Sequence, residues 1–422
     1  MRIRRLSKLG EGVAEYEGRT VFVEGALPGE ALRARVVPNG KVLRGEVLEL
    51  LEPSPDRRPP ACPLFDRCGG CDWLHLEEGA QRAAKEEIVL SALEHLGQVE
   101  RAEVTLVPSV ASPKAFAYRR RAVLHPTKDA LGFYERRSHA CLPVDRCPAL
   151  VEALRELPGR LAEALGTVKH DLEAVHLLAA GDRVSVGLLL QGAVKPRHRE
   201  VTEKAVRTLG LVGAVLTPKE GSPTLVGRPA LRLPAPLRPD VPLFLRPDAF
   251  SQANEQANDA LVGAAVEALG ASEDDDVLEV YSGNGNFTFA IAARARSVLG
   301  VESSAVSVEL ARRSVDEAKL SNVRLVLGDA KRVVDGFIRE GRVFDLLFVD
   351  PPRTGAPGIA SWAHSLHVRR VVYVACDPAA LARDASELRR AGFWPDTLQL
   401  IDMFPQTHHV EAVMSFARRA DG

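Results

Sequence analysis

The chain has 422 residues, 55 basic against 56 acidic side chains and a formal net charge of −1. That length is too great for one compact core, so two or three domains are expected, and the balanced charge excludes an overall field that would draw the protein to nucleic acid. Apolar residues make up 46% and charged residues 26%, the proportions of an ordinary soluble globular protein. No apolar run is long enough to span a bilayer, and the basic start M-R-I-R-R-L-S-K lacks the apolar stretch of a secretory signal. A cytoplasmic protein without a membrane partner is expected. In that compartment six cysteines point to ligands or nucleophiles rather than disulfides.

Residues 1 to 55 alternate short β-type runs, at 2–6, 13–16, 20–23, 31–37 and 42–50, with Gly and Pro turns. The pattern predicts a small barrel, and Asn39–Gly40 is a good hairpin turn. Charge over these residues is 9 basic against 8 acidic. G-E-G-V-A followed by V-F-V-E-G-A-L-P-G-E resembles the TRAM domain of RNA-modifying enzymes, which implies an OB-like barrel that meets RNA.

Cys62, Cys68 and Cys71 follow in A-C-P-L-F-D-R-C-G-G-C-D-W. Three thiols this tightly spaced, with glycines between the last two, suit a metal centre. The fourth ligand must come from farther along, where Cys141 and Cys147 are the candidates. A zinc ion and a [4Fe–4S] cluster are both chemically possible, and spacing does not separate them.

Apolar positions Ile88, Leu90, Leu93 and Leu96 predict a helix over 77–96. The window 114–147 then holds eight Lys and Arg against three acids, interleaved with Phe116, Tyr118, Phe133 and Tyr134. Cations for phosphate and aromatics for base stacking are what single-stranded RNA requires. Residues 175–190 and 211–245 alternate β-like runs with Pro-rich turns and show no chemistry. The whole stretch 56–245 is expected to be a β-rich central RNA-binding domain.

From residue 246 to 422 strands and helices alternate, which predicts a parallel sheet covered on both faces, an α/β fold. The first strand runs to Tyr281 and opens into S-G-N-G-N-F. This loop lacks both the dinucleotide G-x-G-x-x-G and a P-loop lysine. Backbone approach at Gly283 without a phosphate motif fits S-adenosylmethionine. Glu302, ending the second strand, can accept from both ribose hydroxyls, and Asp329, after the third, is placed for the adenine. A fourth strand ends in D-P-P-R at Asp350, and a fifth, Val371–Ala375, runs into Cys376.

The runs F-S-Q-A-N from Phe250, E-V-Y-S-G-N-G-N-F-T from Glu279, D-P-P-R-T-G from Asp350, Y-V-A-C-D-P from Tyr373 and F-P-Q-T-H-H-V-E from Phe404 resemble the RNA uracil-5-methyltransferase family. With the barrel and the cysteines the likeness spans nearly the whole chain. It implies a class I, Rossmann-like methyltransferase domain acting on a uridine in RNA, with 23S rRNA favoured and tRNA the alternative. In this family a thiolate adds to C6 of uracil, so that C5 can attack the sulfonium methyl, and a base then takes the C5 proton. By resemblance Cys376 is the nucleophile and Glu411 the base. Asp350 holds the uracil edge close to the cofactor, Gln252 lies near cofactor and base, and Phe250 stacks on the base. The resemblance also selects an iron–sulfur cluster on Cys62, Cys68, Cys71 and Cys147, the last followed by Pro148, and leaves Cys141 outside it. No protein partner is implied. The chain departs from the family's usual pattern in three places: Arg120 stands for Asn, Asp377 for the Asn after the nucleophile, and Ser282 where Cys or another small residue is common. A carboxylate at 377 would raise the thiol's pKa if it faced it, or cap the following helix if it did not. The competing expectation is an RNA-binding protein with degenerate chemistry.

Overall fold

The structure, a computed structural model, describes residues 1–419; residues 420–422, the end of the expected C-terminal domain, lie outside it. The N-terminal strands Arg5–Leu6, Gly12–Tyr16, Arg19–Val23, Ala31–Asn39 and Val42–Glu52 form one sheet. It closes on itself where Arg2 bridges Ala31 and Ile3 N donates to Glu30 O at 2.9 Å. Ile3, Ala14, Val21, Val23, Leu32 and Leu43 alternate inward to fill this small barrel.

A second, seven-stranded sheet runs from Arg121–Pro126 to Thr224–Gly227, with Leu172–Ala180 and Arg183–Leu190 at its centre. The helix Leu157–Leu165 buries Leu157, Leu161 and Leu165 in the core of this unit. An antiparallel ribbon, Leu231–Ala235 with Arg238–Leu245, then leads into the loop that carries Phe250 and Gln252.

The third sheet has eight strands, and its order places Asp276–Val280 between Ser297–Glu302 on one side and Leu346–Val349 on the other. Val323–Leu327 extends it beyond the former and Arg370–Ala375 beyond the latter, all five parallel. Ala412–Arg418 then pairs antiparallel with Arg370–Ala375. This is a Rossmann-like sheet. The chain reverses direction across it at Asp276–Val280, which opens a crevice at the carboxyl ends of the strands. Turns at that edge become helices through side-chain caps: Ser304, Asp329 and Asp377 each accept from a backbone N–H three residues on.

The expected central stretch does not stay in one unit. Thr105–Val110 pairs parallel with Phe393–Ile401 as the eighth strand of the methyltransferase sheet. The helix Glu78–His95 buries Val89, Leu90 and Leu93 in that domain's core, along with Leu381, Ala382 and Ala385 of the helix Pro378–Arg390. Grouping residues 78–110 with a central domain that ends at 245 therefore cuts through a packed core. The open edge of Phe393–Ile401 is satisfied by a strand nearly three hundred residues upstream, and local pattern carries no signal for that.

Candidate active site

The loop after Asp276–Val280 forms one wall of the crevice. Tyr281 has a left-handed φ of 67°, and its N–H and that of Ser282 both donate to Val301 O, at 2.9 and 3.1 Å. That turn directs the chain across the end of the neighbouring strand. Gly283, at φ 57°, has no atom within 4 Å of where a Cβ would stand, so a ligand can lie directly on its backbone. Glu302 Oε2 accepts from Gly283 N at 3.0 Å and Oε1 from Ser304 N at 2.6 Å, which fixes the carboxylate at the rim. Asp329 caps its helix through Arg332 N at 2.9 Å and remains exposed.

Beneath the loop lie polar atoms without partners. Both carboxylate oxygens of Glu279 are buried and unpaired, as are the hydroxyls of Ser282 and Thr288. Burial pushes the Glu279 carboxyl up to about 8. Buried orphans of this kind are costly unless something pairs with them. A polar, partly cationic ligand in the crevice fits both the orphans and the open backbone at Gly283.

Two strands away, the register of Arg370–Ala375 against Ala412–Arg418 pairs Val374 with Val413 and Ala375 with Ala412. Cys376 and Glu411 are the next residues beyond that last pair, and the Glu411 charge acts on the Cys376 thiol. Burial pushes the Cys376 thiol up to about 12, helped by the negative fields of Glu411 and Asp350, with Asp377 contributing less. Glu411 is 4% exposed, and its carboxyl is held well above the ordinary range by burial and by Asp350. Asp350 is likewise raised, by burial and then by Glu302. Arg353, exposed in the same D-P-P-R run, pulls both the thiol and Glu411 back towards their charged forms. Asp377 faces away: its Oδ1 accepts from Ala380 N at 2.8 Å and caps the helix.

The loop 246–254 forms the opposite wall. Arg120 N donates to Ala253 O at 2.8 Å and Arg120 Nε to Gln252 O at 2.9 Å. Arg121 donates to the carbonyls of Ala249 and Pro247. Asn254 Nδ2 reaches Met403 O at 3.2 Å, tying this loop to the one that precedes Glu411. Gln252 is buried at 5% exposure, whereas Phe250 stands 66% exposed. The basic window therefore does less at the surface than its charge implies. Arg120 is buried and Arg121 half-buried scaffolding, Tyr118 is buried with its hydroxyl on Pro405 O, and Arg136 and Arg137 pair with Glu24 and Glu11 of the barrel.

All six cysteines are free. Cys71 lies in the fields of Cys68 and Cys147, and Cys147 in those of Cys68 and Cys62, so these four thiols share one region. Burial raises the thiols of Cys68, Cys71 and Cys147. Cys141 lies apart, its Sγ 3.6 Å from His125 O. Among the described residues no three His, Cys, Asp or Glu side chains gather closely enough to hold a metal ion.

The family model described as tRNA (Uracil-5-)-methyltransferase matches residues 244–419. A 23S rRNA (uracil(1939)-C(5))-methyltransferase RlmD of Pseudomonas putida is 34% identical over 98% of this chain and 92% of its own. The chain belongs to the RNA uracil-C5-methyltransferase family. A second such relative, from Alkalilimnicola ehrlichii, is 35% identical over 99% of this chain and 96% of its own. Among solved structures, a Pyrococcus abyssi tRNA (uracil-54, C5)-methyltransferase in complex with S-adenosyl-L-homocysteine superposes with a TM-score of 0.74 at 26% identity, covering 99% of this chain and 100% of that one.

Within this family fold the structure brings Cys376, Glu411, Asp350, Tyr281, Gly283 and Glu302 to one carboxyl edge, with Gln252 and Phe250 on the facing loop. Sequence reasoning assigned no role to Glu279 or Arg353, although both stand inside quoted motifs. The signal for Glu279 was an acid in a run otherwise built for burial. For Arg353 it was a lone cation among acids.

Proposed function

We propose that this cytoplasmic protein methylates C5 of a uridine in 23S rRNA. The placement of Cys376 and Glu411 just beyond the last pair of adjoining strands, across the sheet edge from Gly283 and Glu302, carries the reading. S-adenosylmethionine supplies the electrophilic methyl when bound; Tyr281, Gly283, Glu302, Asp329 and Gln252 would hold it, with Glu279 beneath. The uridine leaves its stack and rests on Phe250, whose exposure suits a stacking platform. Asp350 accepts from the uracil N3–H, a contact that cytosine would leave unpaired.

Cys376 Sγ adds to C6 as thiolate, and the C5–C6 electron pair moves towards O4. The charge of Arg353 favours the thiolate that burial disfavours. C5 takes the methyl and becomes tetrahedral, bearing both methyl and hydrogen. Glu411 removes that hydrogen as a proton, the C5–C6 double bond re-forms and the C6–S bond breaks, returning the thiolate. A carboxylate whose pKa is raised is the stronger base once ionised.

The thiols of Cys62, Cys68, Cys71 and Cys147, which lie in one another's fields, would hold a [4Fe–4S] cluster rather than zinc, a choice that rests on the resemblance of their spacing to the family's iron–sulfur site. Its role would be structural. The whole-chain likeness to 23S rRNA enzymes favours rRNA over the tRNA alternative.

The test is tritium release from a 23S rRNA transcript labelled at C5 of uridine. Cys376→Ala abolishes release, and full activity in that variant would refute the mechanism. Loss of 5-methyluridine from tRNA, with rRNA unchanged, in a strain lacking the gene would reassign the substrate.

A further inference from the structure

The base-bearing loop has a keystone outside the chemistry. Gln406 is fully buried and takes a left-handed φ of 68°, which a residue with a side chain holds only where its surroundings force it. Every polar group it has is engaged. Its N–H donates to Gln81 Oε1 at 2.8 Å, and its carbonyl accepts from Asp72 N and Trp73 N at 3.0 and 2.9 Å. Its side-chain oxygen accepts from Gln81 Nε2 at 3.0 Å and Arg58 Nη2 at 2.8 Å, and its side-chain nitrogen donates to Glu78 Oε1 at 3.3 Å. All five partners come from residues 58–81, none from the sheet that carries Cys376. The same loop is held twice more: buried Lys85 donates to Asp402 Oδ1 at 2.7 Å and to Phe404 O at 2.9 Å, and Tyr118 donates to Pro405 O at 3.0 Å.

Glu411 lies five residues beyond this turn, before the strand Ala412–Arg418 begins. Cys376, by contrast, directly follows a strand that lies inside the parallel sheet. Glu411 also touches that sheet, its carbonyl accepting from Ile401 N at 2.9 Å, but the turn that leads to it is anchored at residues 58–81. From this we propose that Gln406 is a positioning residue for Glu411, through which the segment 58–81 sets the proton-removal step without governing thiol addition or cofactor binding. The inference rests on Glu411 being the base.

That division predicts a kinetic split which a general loosening of the fold would not give. A displaced Glu411 leaves Cys376 able to add and C5 able to take the methyl, but the methylated adduct cannot release its proton. Gln406→Met removes the side-chain bonds at similar size. Arg58→Met, at a half-buried donor to the same amide, is the milder variant should Gln406→Met fold poorly. Each is mixed with S-adenosylmethionine and a 23S rRNA transcript, and the covalent protein–RNA species is followed on denaturing gels beside tritium release and calorimetric titration of S-adenosylmethionine. Adduct is expected to form at the parental rate and to resolve on the order of 10- to 100-fold more slowly, as a displacement of about 1 Å at a reacting group costs, with cofactor affinity unchanged. Resolution at the parental rate in both variants overturns the inference. So does a joint fall in cofactor affinity and adduct formation. Glu411→Gln run alongside separates the two readings: if it accumulates adduct while Gln406→Met does not, only the positioning role fails, and if it resolves adduct like the parent, the base assignment fails and the positioning role with it.

Discussion

Asp377, beside the proposed nucleophile Cys376, is the residue on which a sharp prediction turns. If its carboxylate faced the Cys376 thiol at about 4 Å in a partly screened site, the interaction would be worth about 4 kcal/mol, or about three pKa units. The structure instead aims Oδ1 at Ala380 N, 2.8 Å away, and burial, Glu411 and Asp350 act on the thiol more strongly than Asp377 does. Asp377→Asn keeps the cap, because Asn caps as well as Asp, so stability should change by no more than a few tenths of a kcal/mol. Asp377→Ala removes the cap and should cost about 1 kcal/mol. Burial raises the thiol to about 12, so its thiolate fraction, and with it the rate of addition, climbs with pH across the accessible range. Asp377→Asn should shift that rising limb by less than about one unit. The assay is the pH profile of kcat/KM for tritium release in parent and variant, with thermal melts beside it. A shift towards lower pH of about three units, with a matching gain in rate at neutral pH, would mean that the carboxylate faces the thiol and would refute this account.

Three further outcomes follow from the same geometry. Arg353→Gln removes the cation that favours both the thiolate and ionised Glu411, so activity at neutral pH should fall and partly recover as pH rises, which a pH–rate profile would detect. Phe250→Ala should raise KM for RNA through the loss of about 1–3 kcal/mol of stacking, while S-adenosylmethionine affinity stays unchanged in titration. In anaerobically purified protein, Cys147→Ser should lose iron and sulfide and Cys141→Ser should retain both.

Legibility in the sequence followed the reach of the physical signal. Alternation and turn residues marked the barrel strands to within a few positions, because a period of two with Gly and Pro punctuation is a local property. What they did not show was closure of the barrel, which depends on Arg2 meeting Ala31. The basic window was read as a surface. In the folded chain Arg120 and Arg121 are spent on backbone carbonyls of the loop 247–253. Charge can be counted from sequence, but whether a guanidinium faces solvent or a carbonyl is decided by the neighbours that folding brings. Asp377 was open between two roles until the position of Ala380 N chose the cap. Glu279 and Gln406 sat inside recognised motifs without a role. A buried orphan and a saturated hub look alike as letters and differ only in what surrounds them.

By itself, the sequence determined the alternation of strands and helices, the absence of a phosphate motif at the Gly283 loop, the thiol spacing, and the motifs that named a nucleophile and a base. The tertiary structure decided which strand Cys376 stands beside, that Thr105–Val110 completes a sheet begun far downstream, and that the turn at Gln406, five residues before Glu411, is held from residues 58–81. The physical reason is range. Propensity, periodicity and capping act over a few residues. Register, burial and the electrostatics of a shared cavity belong to groups hundreds of residues apart, and exist only once the chain has closed around them.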